Sequence, residues 1–198
     1  LIAVTKGVDV DRIADVISAG VTDIGENRVQ EAAQKFDQLP REVTRHLIGH
    51  LQTNKARRAA ELFDIVHSVD SERVMEALTQ NRPMKEPSLA LLIEVQLTGI
   101  PGRSGVSVEE VEPLARTIAG TAGVELVGLM TIAPPGESPE ASRPYFARLR
   151  TIRDRVQQSS GIELRELSMG MSDDFEVAIE EGATMVRIGR AIFGEPSG

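Results

Sequence analysis

Apolar and polar positions along this chain follow two periods in alternation. Short β-rich apolar runs are separated by longer stretches whose apolar residues recur every three or four positions, the pattern of strand–helix units around a parallel sheet. Eight runs read as strands: Leu1–Thr5, Val21–Ile24, Arg45–Ile48, Asp64–Val69, Leu89–Gln96, Val124–Met130, Glu163–Leu167 and Thr184–Ile188. After the first run, Val10, Ile13, Val16 and Ile17 share one helical face, which Gly20 ends. Further helical patterns fall near residues 28–38, 54–62, 71–80, 108–119, 140–158 and 173–181. Divided over eight units, 198 residues give about 25 each, compact but sufficient for a (β/α)8 TIM barrel. An open doubly wound sheet is the competing architecture, but it needs fewer strands. Lys6-Gly7-Val8-Asp9 after the first strand also lacks the glycine fingerprint common there. Thr98–Gly105 and Ala133–Pro139 read as loops, and neither marks a domain boundary, so residues 1–198 read as a single domain. Leu1 already lies in a strand-like run, so a natural segment preceding it is expected to be missing.

Composition narrows the partners. The core must be aliphatic, since Trp is absent and only five Phe and one Tyr are available. A net charge of −8 opposes long-range attraction to nucleic acid or an anionic membrane, while leaving room for a local anion site. The absence of cysteine excludes disulfides, thiolate catalysis and cysteine-held metals, and fits a reducing compartment. No apolar run reaches the length of a membrane span, and the first residues lack the basic region and cleavage site of a signal peptide. The expectation is a cytoplasmic, monomeric protein with neither nucleic acid nor membrane among its partners.

In a barrel, chemistry belongs to the C-terminal strand ends. There stand Lys6, Asn27, His50, His67, Glu94, Thr131, the run Ser168-Met-Gly-Met-Ser172, and Arg187 with Gly189-Arg190. A lysine at the mouth is expected to be partly desolvated, which would free its amine to attack a carbonyl. Ser172 is expected to cap the helix after the seventh strand, in a turn that offers N–H groups to an anion. Gly189 permits close backbone approach, and Arg187 and Arg190 add guanidinium groups. Two such loops after strands seven and eight are the usual phosphate position of this fold. His46 and His50 are four apart, but Gly49 and strand-like spacing argue against a shared metal. Lys55, Arg57 and Arg58 read as a solvated helix face.

Several motifs occur in order: Ala3-Val-Thr-Lys6, Gly25-Glu-Asn-Arg-Val-Gln-Glu31, His46-Leu-Ile-Gly-His-Leu-Gln-Thr-Asn-Lys55, Gly128-Leu-Met-Thr131, Leu167-Ser-Met-Gly-Met-Ser-Asp-Asp174, Met185-Val-Arg-Ile-Gly189 and Ala191-Ile-Phe-Gly194. Through them the chain resembles, nearly end to end, the pyridoxal phosphate homeostasis proteins, relatives of the barrel domain of alanine racemase. The resemblance implies pyridoxal 5'-phosphate (PLP) held as a Schiff base on Lys6. Ser168, Ser172, Gly189 and Arg190 would hold the phosphate, Arg187 would face the pyridine nitrogen, and Asn27 would lie near the ring. Two positions depart from the family pattern: Arg190 stands where relatives commonly have Thr or Ser, and Gly7 where a Thr is frequent.

The resemblance implies a PLP carrier in intracellular PLP homeostasis, with transient transfer to PLP-dependent enzymes and no catalysis of its own. The alternative is a weak PLP-dependent amino-acid racemase, which needs a second proton donor opposite Lys6; the sole tyrosine, Tyr145, lies beyond the sixth strand. A Schiff-base aldolase ranks behind both, since its lysine is expected on a middle strand.

Overall fold

Residues 1–80 and 87–194 are described by the computed structural model. Among them eight parallel strands hydrogen-bond in sequence order and close into a barrel. The strands are β1 (Ile2–Val4), β2 (Asp23–Glu26), β3 (Thr44–Leu47), β4 (Ile65–Val69), β5 (Leu89–Glu94), β6 (Val124–Met130), β7 (Glu166–Met171) and β8 (Met185–Ile188). Closure comes from β1 against β8, with Ile2 opposite Arg187 and Ala3 opposite Ile188. The helices are α1 (Val10–Ser18), α2 (Val29–Lys35), α3 (Ala56–Leu62), α4 (Glu72–Thr79), α5 (Val111–Ala119), α6 (Arg143–Ser160), α7 (Phe175–Glu180) and α8 (Arg190–Phe193). No described helix is long and apolar enough to cross a membrane.

The helical faces seen in the sequence are the faces that pack. On α1, Ile13 is fully buried while Val10, Val16 and Ile17 lie against the same core. On α5, Val111, Leu114, Ala115 and Ile118 are buried, spaced so that one stripe faces the strands. Two of the six Phe and Tyr residues pair: Phe36 and Phe63 meet edge to face with ring centres 5.3 Å apart, and the Arg45 guanidinium lies over Phe36.

Inside the barrel a separate apolar cluster, Leu92, Val127 and Met130 with Ile65 and Ala90, fills the β4–β6 side. Elsewhere the lumen holds Ile2 and Ile48, packed over Gly25, and a line of polar side chains. The His67 side chain on β4 is hydrogen-bonded to Ser168 on β7; those strands are not neighbours, so the bond crosses the interior.

The structure departs from the sequence pattern mainly at the end of the chain. The seventh strand runs to Met171 rather than stopping at Leu167, with a register shift against β8 between Ser168 and Met171. Ser168 is therefore a strand residue and not part of a turn. The four-residue α8 escapes periodicity because it is barely one turn long. Several helix starts and ends tighten into short 3-10 turns: Phe36–Gln38, Thr53–Lys55 and Pro139–Ser142.

Candidate functional site

Lys6 follows β1 directly and is exposed, so the partial desolvation expected of a lysine at the mouth is absent. Its backbone, by contrast, is fixed on both sides. Lys35 on α2 donates to the Thr5 carbonyl at 2.8 Å, to Glu26 Oε1 at 3.0 Å and to Glu31 Oε1 at 2.6 Å. Glu31 Oε1 in turn accepts the Gly7 N–H at 2.6 Å. The Glu26 carboxylate also accepts the Thr5 hydroxyl at 2.7 Å, yet its second oxygen has no hydrogen-bond partner, and burial pushes its carboxyl up. Gly7 adopts φ +68°, a left-handed turn that L side chains resist. That turn accounts for glycine where a threonine is frequent in the family. Gly7→Thr is expected to cost about 1–2 kcal/mol in urea unfolding.

The turns after β7 and β8 meet beside this lysine. The Ser172 hydroxyl accepts the N–H groups of Gly189 at 3.3 Å and Ala191 at 3.4 Å. Ser172 therefore engages α8 and does not cap α7; that helix begins at Asp174, whose carboxylate accepts the Met171 N–H and the Ser142 hydroxyl. Val4 lies in van der Waals contact beside Gly189, its Cβ 3.4 Å from where a Gly189 Cβ would stand. Arg190 is exposed and ion-paired with Asp173. Lys6, Gly7, Arg12, Gly189, Arg190 and Phe193 line a common cavity of about 350 Å³. The two N–H groups and the Ser172 hydroxyl are joined only by long bonds, so the oxygens of a phosphate, which accept more strongly, suit the same donors.

Arg187 lies beneath this rim, 4% exposed. It donates to Ser168 Oγ at 2.6 Å and to the Thr131 carbonyl at 2.9 Å, and burial draws its guanidinium down to about 10. Ser168, placed by the resemblance among the phosphate ligands, is fully buried with its hydroxyl held between Arg187 and His67. Asn27, half-buried after β2, has no side-chain partner among the described residues. The sequence singled out Lys6 and the two late turns, and these do come together. It did not single out Asp23, Lys35 or Thr5, it weighed His46 only as a partner of His50, and it noted His67 only as one polar strand-end residue among several. His46 and His50 share no site: His46 is buried against His67 and Asp23, whereas His50 pairs with Asp70 at 3.3 Å. Arg57 and Arg58 are exposed and paired with Glu61.

Burial, with the nearby His46 and Arg187, pushes His67 well below its ordinary value of 6.5. The folded state thus refuses a proton that the unfolded chain accepts. The stability this contributes is complete above the unfolded value and falls as pH drops below it, by up to about 1.4 kcal/mol per pH unit. Urea midpoints between pH 7.5 and 5 should show this loss, and a His67→Gln variant should show a flatter profile.

A parallel barrel with a lysine after its first strand and anion donors after its last two defines a recognisable class. The chain belongs to the family described as alanine racemase, N-terminal domain, whose model matches residues 1–196. Within it the chain belongs with the pyridoxal phosphate homeostasis proteins. That of Aquifex aeolicus is 41% identical over 197 residues, 98% of this chain and 86% of that protein. PipY of Synechococcus elongatus, 39% identical, superposes with TM-scores of 0.91 without PLP and 0.88 with PLP bound, covering 98% of this chain and 91% of that one. Alanine racemase of Corynebacterium glutamicum, at 22% identity and a TM-score of 0.70, shares the fold over all of this chain and 56% of its own.

Proposed function

We propose that this chain binds PLP at the mouth of its barrel, attached through the Lys6 amine, and serves PLP homeostasis as a carrier without catalysis of its own. The observation that supports this reading is the shared cavity, in which Lys6, Gly189 and Arg190 stand together with Ser172 hydrogen-bonded to the Gly189 N–H. PLP supplies an electrophilic aldehyde and a phosphate. The Lys6 amine is placed to bond to the first. The Gly189 and Ala191 N–H groups and the Ser172 hydroxyl are suited to the second, with the Arg190 guanidinium at the rim. Arg187 presents a buried cation below. A cation facing the ring would oppose a proton on its nitrogen and so weaken the electron withdrawal on which amino-acid chemistry depends. The sole tyrosine, Tyr145, sits on α6 and packs against the core, so a racemase would have to find another base opposite Lys6. The exposure of Lys6 suits a carrier, since a ligand held at an open rim is accessible to an acceptor enzyme. We take the carrier to act as a cytoplasmic monomer that hands PLP transiently to PLP-dependent enzymes.

The test is a visible spectrum of the protein with added PLP, followed by borohydride reduction and peptide mapping. A new band with the adduct on Lys6 is expected. No band, or an adduct on another residue, would overturn the reading. Alanine racemisation by the pure protein, lost in Lys6→Ala, would replace the carrier with an enzyme.

A further inference from the structure

Among the described residues the buried cation of Arg187 has no carboxylate in hydrogen-bond contact, and its two bonds go to a hydroxyl and a carbonyl. A continuous hydrogen-bonded chain nevertheless leads from it to one. Arg187 Nη1 meets Ser168 Oγ at 2.6 Å, Ser168 Oγ meets His67 Nδ1 at 2.8 Å, His67 Nε2 meets His46 Nδ1 at 2.8 Å, and His46 Nε2 meets Asp23 Oδ1 at 3.0 Å. Ser168, His67 and His46 are at most 1% exposed, so no solvent intervenes along the middle of the path. Asp23 opens β2, and its side chain is 30% exposed, so the chain runs from the N-terminal end of the barrel up towards the mouth.

With both rings neutral the direction of every proton in this chain is determined, because the Asp23 carboxylate only accepts and so takes the His46 Nε2 hydrogen. A guanidinium only donates, so the Ser168 oxygen accepts from Arg187 and its own hydrogen is free for His67. His46 Nδ1 is then an acceptor, which places the His67 hydrogen on Nε2 and leaves His67 Nδ1 to accept from the Ser168 hydroxyl. The His67 hydrogen goes to His46 Nδ1, and the His46 hydrogen is on Nε2, facing the Asp23 carboxylate. Four donors point the same way. Their dipoles turn negative ends towards the guanidinium and positive ends towards the carboxylate, so a charge pair separated by the barrel interior is joined by three neutral side chains.

We infer that Asp23 is the remote counter-charge of Arg187, and that Ser168, His67 and His46 are positioning residues that hold the guanidinium in place and relay that charge to it. The relay itself is independent of any ligand. Its bearing on PLP rests on the function proposed above, because Arg187 is the cation that would face the ring. Glu94 and Asp174 also act on Arg187 through space, but they are not part of the hydrogen-bonded path.

The first test uses the ligand-free full chain labelled with ¹⁵N-histidine, in which only three histidines must be assigned. At pH 7.5, long-range nitrogen–proton correlations should show His46 and His67 as neutral tautomers with the hydrogen on Nε2. A hydrogen on Nδ1 of either ring, or an imidazolium, would overturn the relay. The second uses Asp23→Asn, which keeps an acceptor and removes the charge at a part-exposed position. It should shift the His67 nitrogens two links away, speed release of bound PLP about tenfold and move the bound PLP absorption band, with Asp23→Glu restoring all three. A fall in melting temperature with unchanged His67 nitrogens and unchanged PLP release would reduce Asp23 to a structural role. If the wild-type chain takes up no PLP, the proposed function fails, while the histidine tautomers still decide the relay.

Discussion

Lys6→Ala is expected to abolish both the visible band and the borohydride-stable adduct, leaving folding stability within about 0.5 kcal/mol of the parent. The first half follows from the supply of amines at the site. The other lysine near the mouth, Lys35, is 12% exposed, and its ammonium is spent on Thr5, Glu26 and Glu31. It cannot take over without breaking three bonds. The second half follows from exposure: the Lys6 side chain is solvated and makes no hydrogen bond among the described residues, and substitutions at such places are nearly neutral. Phosphate binding should survive, because its donors belong to Ser172, Gly189 and Ala191. Inorganic phosphate should therefore still compete with PLP for what remains of binding. A variant that retained the band would show that another amine is the attachment point.

Lys35→Met is expected to destabilise the protein by about 3–5 kcal/mol at pH 7, the range for removing one partner of a buried pair. Glu26 is fully buried and already has one unpartnered oxygen. Without Lys35 its remaining partner is the Thr5 hydroxyl. Burial already raises the Glu26 carboxyl above its usual value, and losing the ammonium raises it further. A raised carboxyl contributes most at low pH and loses that contribution as pH climbs through the folded value. The cost of Lys35→Met should accordingly be smaller at pH 5 than at pH 7.5, as urea unfolding at the two values would show. Equal costs would locate the damage in lost packing. The same variant frees the Thr5 carbonyl and the Glu31 carboxylate that holds the Gly7 N–H, so the backbone around Lys6 loosens and PLP release should quicken.

The legible part of this molecule was its local part. Strand runs and helical stripes each sit within about ten residues, and burial of an apolar face follows from period alone. Lys6 and the late turns were legible because strand order in a barrel assigns them to one end. Ser168 and Ser172 were misplaced because β7 runs on to Met171, which makes Ser168 a strand residue, and a register shift beyond it precedes Ser172, which engages α8. Nothing in the spacing of that segment signals such a shift. The lumen partners were illegible for a different reason. His67 and Ser168 lie 101 positions apart, and no sequence window contains both. His46 had been weighed only against His50, its neighbour along the chain, whereas its partners come from β2 and β4. Lys35 drew no reading from the sequence, and only α2 packing over β2 brings its ammonium beneath the lysine of the site.

Filling the lumen with hydrogen-bonded side chains also affects how the chain folds. The Ser168 hydroxyl on β7 and its acceptor His67 on β4 find each other across the interior only once the sheet has curled into the barrel. An open sheet that carried those groups in an apolar setting would leave them unsatisfied, at a cost of about 1–3 kcal/mol each. Partly closed forms are thereby penalised relative to both the unfolded and the finished barrel, and closure becomes the cooperative event of folding. An aliphatic lumen would reward each added strand separately; this one withholds its reward until the ring is complete.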